Sequence, residues 1–197
     1  IVAGLAAAWE VHGQPAPRHE ILALAAGMEG HPDNVAPAIF GNLCTTVMDR
    51  DQAVMCATDM SLWHALAIVP ENEVSTAEAR KVLPATVSLK EAALQAGRAA
   101  LFVQGLERGD QQLVCAACQD VLHEPWRKAL IPQYSRLKDA CEANAVPLWI
   151  SGSGSTMLAI SRDRSQLESM QAWVRKEMGL DSRLTNPDRE GLQIFHE

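Results

Sequence analysis

The segment from Ser88 to Arg108 constrains the fold more than any other part of the sequence. Ser88 and Glu91 have the spacing of a capping box, in which each side chain satisfies a backbone N–H of the other residue, and Gly109 supplies a helix stop. Between these signals apolar residues recur at intervals of three and four, as in an amphipathic helix. They are Leu89, Ala93, Ala96, Ala100, Val103 and Leu106. The pattern predicts a long helix that turns this stripe towards a core.

Shorter helices and strands alternate along the rest of the chain. The same periodicities predict helices at 1–12, 18–28, 35–40, 75–83, 111–123, 133–144 and 166–178. They predict strands at 43–48, 53–58, 62–69, 148–151, 156–161 and 192–195. The first helix is apolar nearly all round, which predicts that it is buried. Helices interleaved with short strands indicate an α+β fold, with a domain boundary near residues 59–62.

Charge and apolar content exclude several classes of protein. The chain has 17 basic against 24 acidic residues and a formal net charge of −7, whereas a nucleic-acid or anionic-membrane binder needs a broad basic surface. No apolar run reaches the roughly 18 residues that span a bilayer. The five cysteines are scattered through apolar stretches, which is typical of reduced residues. We therefore expect a cytoplasmic protein that binds neither nucleic acid nor a membrane.

A cluster of polar residues follows the second predicted helix. Glu29 lies four and seven residues after apolar members of that helix, so helical geometry places its carboxylate on the buried face. A buried carboxylate needs a cation or donors, and Mg²⁺ takes such oxygen ligands. The alternative is a solvated Glu29 in a frayed last turn. Next to it, His31 suits a capping or packing role, Asp33 can complement the dipole of the next helix, and Asn34 completes the cluster.

Two further places combine a cationic side chain with a second polar group. Thr76 and Arg80 are four residues apart and project from one helical face, where they could hold a carboxylate or phosphate or simply meet solvent. Arg127 follows Glu124 by three residues, and the spacing leaves open whether it pairs with Glu124 or points into a cleft.

A glycine-rich segment joins the two strands at 148–151 and 156–161. Gly152, Ser153 and Gly154 permit a tight turn or a close approach to a phosphate. The segment matches neither the P-loop nor the dinucleotide-binding pattern, so a plain hairpin turn is the simpler interpretation.

Together these places resemble the homoserine kinases, a family of the GHMP small-molecule kinases. Residues 29–41, E-G-H-P-D-N-V-A-P-A-I-F-G, resemble the central signature of that family. Residues 76–84, 124–132 and 150–154 resemble its later motifs, in the same order. The first stretch is specific to the family and the last is shared across the superfamily, and the resemblance covers nearly the whole chain.

The resemblance implies a fold and a reaction. The fold would be the two-domain α+β fold of the GHMP kinases, with the remainder of the N-terminal domain at 1–60 and the C-terminal domain at 61–197. The reaction would be ATP-dependent phosphorylation of the side-chain hydroxyl of L-homoserine to O-phospho-L-homoserine in threonine biosynthesis, with ATP and Mg²⁺ as cofactors.

It also implies a role for each candidate residue. Glu29 and Asn34 would be catalytic, with Glu29 as the Mg²⁺ carboxylate. The residues lining the homoserine pocket would be His31, Asp33, Asn34, Thr76, Arg80 and Arg127, the two arginines on the substrate carboxylate. Support for the ATP loop would come from Gly152, Ser153 and Gly154.

One departure from the family pattern concerns the N-terminus. The main phosphate-binding loop of the superfamily would precede Ile1, so we expect a truncated chain that is inactive by itself. Two alternatives remain: another GHMP small-molecule kinase, or a non-catalytic substrate-binding module that lacks the ATP loop. A homodimer is compatible with each interpretation.

Overall fold

The chain divides into two units. In the computed structural model, which describes residues 1–15 and 17–195, the first unit comprises Ile1–Ser61 and the segment from Pro187 onwards, and the second comprises Leu62–Asn186. The sequence assigned everything after residue 60 to one domain. The structure differs because the backbone N–H of Asn42 donates to the carbonyl of Asp188 at 2.6 Å. A second backbone bond joins Leu192 N–H to the carbonyl of Ile39 at 3.0 Å.

The first unit packs three helices with a β-hairpin. Its elements are α1 (Val2–Val11), α2 (Arg18–Glu29), α3 (Val35–Phe40), β1 (Leu43–Asp49) and β2 (Gln52–Thr58). The strands pair antiparallel, with Leu43 opposite Thr58. The core lies among the helices and is formed by Ala6, Ile21, Leu22, Ala25, Ala26, Val35, Ala36 and Ile39.

The prediction that α1 is buried is wrong. Ala6 is its buried residue, and Val11 is 85% exposed. Helix α1 packs on α2 and α3 along one side, so apolar character all round did not indicate burial all round.

The second unit is built on a four-stranded antiparallel sheet. Its strands are β3 (His64–Val69), β4 (Leu148–Ile150), β5 (Met157–Ser161) and β6 (Asp181–Thr185), in the order β4-β5-β3-β6. Its helices are α4 (Thr76–Lys81), α5 (Leu89–Arg108), α6 (Gln111–Ala117), α7 (Glu124–Arg127), α8 (Tyr134–Ala143) and α9 (Arg164–Trp173). A 3₁₀ turn, Lys128–Leu130, follows α7, and a π-helical turn, Val174–Met178, follows α9.

The core of the second unit lies between the sheet and helices α8 and α9. Leu66, Met157, Leu137 and Leu167 are fully buried there. Both capping boxes predicted from sequence are present, at the starts of α4 and α5. These local hydrogen bonds fix where the two helices begin.

The predicted apolar stripe of α5 is wrong over most of its length. Leu89 is 87% exposed, and the buried positions are Gly105 and Leu106 near the C-terminal end. A methyl group on Gly105 would meet Cγ2 of Val114 at 2.8 Å, so glycine allows α6 to approach closely. Small alanine side chains carry too little apolar surface to decide which face of a helix packs.

Two strands and the end of one helix also differ from the prediction. Strand β6 was missed, and no strand forms at the described residues 192–195. Helix α6 ends at Ala117, not at 123, because the Asp120 carboxylate accepts backbone N–H bonds from Leu122 and His123 and closes a turn. Among the described residues, none of the helices combines the length and apolar character that crossing a bilayer requires.

Candidate functional site

The predicted cluster of the first unit occupies the turn between α2 and α3. Helix α2 ends at Glu29 because Gly30 adopts the left-handed conformation, with φ at 81°. The Glu29 carboxylate is exposed, which is the solvated alternative that the sequence left open: the last turn of α2 has left the packed face. Within the first unit it has no hydrogen-bond or ion-pair partner among the described residues, and it is open to an external ligand.

Three further polar side chains share this turn with Glu29. The ring Nδ1 of His31 donates to Oδ1 of Asp33 at 2.5 Å, which orients the imidazole. The two side chains are 42% and 68% exposed. Asn34 stands at the N-cap position of α3, yet its side chain makes no capping hydrogen bond. The buried Pro32 and Val35 hold the backbone of the turn, while its polar groups face outwards.

Helix α4 of the second unit carries Thr76 and Arg80. Ser75 caps the helix, because its hydroxyl oxygen accepts from the Glu78 N–H at 3.2 Å. The same hydroxyl donates to Oε2 of Glu78 at 2.7 Å, and the hydrogen bonds from Ser75 lower the pKa of the Glu78 carboxyl. Thr76 and Arg80 are exposed on the one helix, as their spacing predicted. Among residues 62–186 the Arg80 side chain has no hydrogen-bond or ion-pair partner, so its charge is available to a ligand.

Arg127 lies at the end of α7 and contacts the glycine-rich segment. Its Nη1 donates to the carbonyl oxygen of Gly152 at 2.8 Å. Its Nε is buried and has no partner among the described residues of the unit. Glu124 pairs with Lys138 and not with Arg127, which excludes the Glu124–Arg127 pair that the sequence allowed. The guanidinium therefore keeps an unused donor beside Gly152.

The glycine-rich segment is the connection between β4 and β5. Gly152 and Gly154 adopt positive φ, 59° and 89°. The Ser151 N–H donates to the carbonyl of Thr156 at 2.9 Å and closes the loop. The Ser155 hydroxyl donates to the carbonyl of Asn72 and ties the loop to the segment before α4. The segment therefore has the geometry of a hairpin connection. This geometry is compatible with a position beside a phosphate.

A cleft of about 490 Å³ opens between this loop and the segment that precedes α4. It is lined by residues 69–75, Glu78, and residues 154–156. The structure thus brings the glycine loop together with the start of α4, and Arg127 together with Gly152. Glu29, His31, Asp33 and Asn34 share one turn of the first unit.

Sequence reasoning missed the side chains that hold this part of the second unit. They are Asn72, Asp120, Tyr134 and Lys138, which contact the loop, α7 or its flanking turn. Each of these residues lies far along the chain from its partner or within a predicted helix, so no local sequence pattern indicated its contacts.

Comparison with known proteins identifies the family. The family described as GHMP kinases C terminal matches residues 102–179. The homoserine kinase of Crocosphaera subtropica is 36% identical over 204 residues, which cover 98% of this chain and 65% of that protein. The homoserine kinase of a Synechococcus species is 37% identical over 206 residues, covering 100% of this chain and 67% of that protein. The chain belongs to the homoserine kinase family.

A solved homoserine kinase has the same fold. The crystal structure of the enzyme from Cytophaga hutchinsonii superposes with a TM-score of 0.87 at 28% identity, over 96% of this chain and 64% of that chain. The α+β fold predicted from sequence is thereby confirmed. The chain spans about two thirds of the length of these homoserine kinases, at 65% and 64%.

Proposed function

We propose that the protein containing this chain is a homoserine kinase, which transfers the terminal phosphoryl group of ATP to the side-chain hydroxyl of L-homoserine. The products are O-phospho-L-homoserine, a precursor for threonine synthesis, and ADP. The observation that carries the proposal is the partnerless Nε of Arg127 beside Gly152, in a chain that is 36% identical to a homoserine kinase along 98% of its length. Because the Arg127 side chain is only partly buried, its guanidinium is suited to an anionic group such as the substrate carboxylate.

Glu29 fits the role of a magnesium ligand on nucleotide phosphates. Among the described residues no group of three or more His, Cys, Asp or Glu side chains could enclose an ion. Mg²⁺ keeps several waters and commonly takes one or two carboxylates together with substrate phosphates, so a single exposed carboxylate is an adequate protein contribution. When bound, the ion would neutralise charge on the phosphate oxygens.

Asn34 would orient the substrate hydroxyl without removing its proton. A neutral amide can donate and accept hydrogen bonds but is not a base at neutral pH. His31 and Asp33 hold each other at 2.5 Å and present polar edges on the same turn, where they would contact homoserine. Such a site would act mainly by positioning and by charge stabilisation, which suffices for phosphoryl transfer.

Thr76, Arg80 and Arg127 would bind the amino-acid end of the substrate. The two guanidinium groups can hold a carboxylate through paired donors, and the Thr76 hydroxyl adds another polar contact. Gly152, Ser153 and Gly154 would support the nucleotide from the loop that Arg127 fastens.

The test is a coupled ADP-release assay on the protein expressed from its full reading frame, with homoserine, 3-amino-1-propanol and mevalonate as acceptors. We expect turnover to depend on homoserine and to be much weaker with the others. Faster turnover with mevalonate would favour another GHMP kinase. Calorimetric binding of homoserine without any binding of ATP would favour a non-catalytic module.

A further inference from the structure

Glu124 and Lys138 form a buried ion pair behind α7. The Oε2 of Glu124 lies 3.7 Å from Nζ of Lys138 on α8, and the two side chains are 10% and 12% exposed. A buried ion pair usually stabilises a fold no better than apolar residues of the same size, because both charges lose their hydration. Its presence here calls for another explanation.

The remaining hydrogen-bonding capacity of the pair is used on three elements. The backbone N–H of Ile150, on β4, donates to Oε1 of Glu124 at 3.2 Å. Tyr134, also on α8, is buried beside the same carboxylate; burial and the interaction with Glu124 raise the pKa of Tyr134 well above its ordinary value. Lys138 donates to the carbonyls of Leu148 at 2.7 Å and Cys118 at 3.1 Å. The pair therefore joins α7 to α8, to β4 and to the end of α6.

Helix α7 is fastened to β4 and the glycine loop at two points. The Glu124 carboxylate accepts a hydrogen bond from the Ile150 N–H on β4. Arg127 follows Glu124 by three residues on α7 and donates to the carbonyl of Gly152, which follows Ile150 by two residues. Since Lys138, Tyr134 and Ile150 engage its carboxylate, Glu124 does not neutralise Arg127, although their spacing on one helix would permit an ion pair.

We propose that Glu124 is a positioning residue: held by Lys138 and the backbone N–H of Ile150, it aims the Arg127 guanidinium at Gly152 and leaves the charge of Arg127 free for an anionic ligand. The identity of that ligand, the homoserine carboxylate, rests on the proposed function. The orientation of Arg127 does not.

Two double variants isolate the hydrogen-bond acceptor at position 124. Glu124→Gln with Lys138→Met, and Glu124→Ala with Lys138→Met, both remove the two buried charges, so neither leaves an unpaired ion in the core. The first keeps an oxygen that can accept from Ile150 and Tyr134, whereas the second does not. Leu167→Ala, a fully buried change on α9, is the control for general loss of stability.

The readout is the ¹⁵N NMR signal of the Arg127 Nε–H, assigned by its loss in Arg127→Lys and recorded without substrate. We expect the Gln/Met and Leu167→Ala variants to keep its chemical shift and slow exchange. We expect the Ala/Met variant to exchange about tenfold faster or more. Tyr134→Phe, which keeps the ring and removes the hydroxyl that interacts with Glu124, should change the signal in the same direction but to a smaller extent.

Kinetics with homoserine add the functional arm. The Ala/Met variant should raise KM for homoserine about tenfold and leave KM for ATP unchanged, while the Gln/Met variant stays near wild type. If the Arg127 signal is unchanged in both the folded Ala/Met variant and Tyr134→Phe, the positioning role is overturned. If the signal changes as expected but homoserine is not a substrate, the positioning role stands and the proposed function fails.

Discussion

Arg127 donates a hydrogen bond from Nη1 to the carbonyl oxygen of Gly152 at 2.8 Å, and its Nε stays buried without a partner among residues 62–186. Nη1 of the guanidinium is thus committed to the glycine loop, and Nε is left without a partner. Lysine cannot reproduce this arrangement, because it lacks the planar fork that lets two donors act in fixed directions.

Arg127→Lys should lower kcat/KM for homoserine through KM. Removing one partner of a buried charged contact costs about 2–5 kcal/mol, which corresponds to roughly 30-fold or more in recognition. The loss should be small with 3-amino-1-propanol, which has no carboxylate, and Arg80→Ala should behave in the same way. Arg164→Lys, an exposed change on α9, serves as the control. Equal losses on the two substrates would show that Arg127 supports structure alone.

Glu29→Gln should lower kcat strongly and move the Mg²⁺ titration to higher concentration. The amide keeps the size of the side chain but loses the charge that holds a hard cation. Because Glu29 is exposed at the end of α2, the thermal unfolding temperature should not change. Glu20→Gln, at the exposed start of the same helix, is the matched control. An unchanged Mg²⁺ titration in Glu29→Gln would make Glu29 an ordinary helix-end residue.

Asp120→Asn should destabilise the protein at neutral pH and lose this effect in acid. Burial opposes ionisation of Asp120, but hydrogen bonds from the His123 side chain and from the Leu122 and His123 N–H groups outweigh it and lower the pKa from 3.8 to about 2. A lowered folded-state pKa adds stability above the ordinary pKa, and this is lost as the pH falls from about 4 to about 2.

The expected difference in unfolding free energy between wild type and Asp120→Asn is about 1–2 kcal/mol at pH 7. Urea unfolding at pH 7, 4, 3 and 2 should show the two proteins converging at the lowest pH. For the exposed control Asp139→Asn, the difference in unfolding free energy from wild type should stay the same at every pH. A difference that persists undiminished at pH 2 would contradict the assignment.

Gly191→Ala should destabilise the first unit far more than Gly13→Ala. Both glycines have positive φ, 67° and 66°, so each substitution bears the same backbone strain of about 1 kcal/mol. A Cβ on Gly191 would also clash with the carbonyl oxygen of Ile39, whereas no described atom lies within 4 Å of one on Gly13. Differential scanning calorimetry tests this: equal shifts in melting temperature would mean that the C-terminal segment does not pack on α3.

Local signals in the sequence predicted what local interactions determine. Ser75 and Glu78 start α4 through contacts three residues apart, and Gly30 ends α2 by its own conformation, so the sequence identifies both. The polar turn after α2 was found in the same way. The spacing left open whether Glu29 is buried or exposed, because one further residue of helix decides whether that side chain faces the core.

Long-range partners were beyond such reasoning. Glu124 meets Ile150, and Arg127 meets Gly152, across 26 and 25 residues, and no periodicity encodes these pairings. Strand β6 was missed because its sequence, D-S-R-L-T, is mostly polar, and it forms by pairing with β3 along the backbone. Burial patterns identify strands in a core better than strands at the edge of a sheet.

The pairing of β3 with β6 brings the two ends of the second unit together, and Nδ1 of His64 lies 2.8 Å from Oδ1 of Asn186. In the first unit, Asp59 precedes the start of the second unit in sequence and Arg189 follows its end. The two side chains form an ion pair at 3.0 Å. The second unit is therefore an insertion within the first, with neighbouring entry and exit points. During synthesis it can be completed as soon as Asn186 has emerged, while the first unit must wait for a segment translated afterwards. Packing of this segment on Ile39 and Asn42 can therefore follow completion of the second unit, and residues 62–186 should fold when expressed alone.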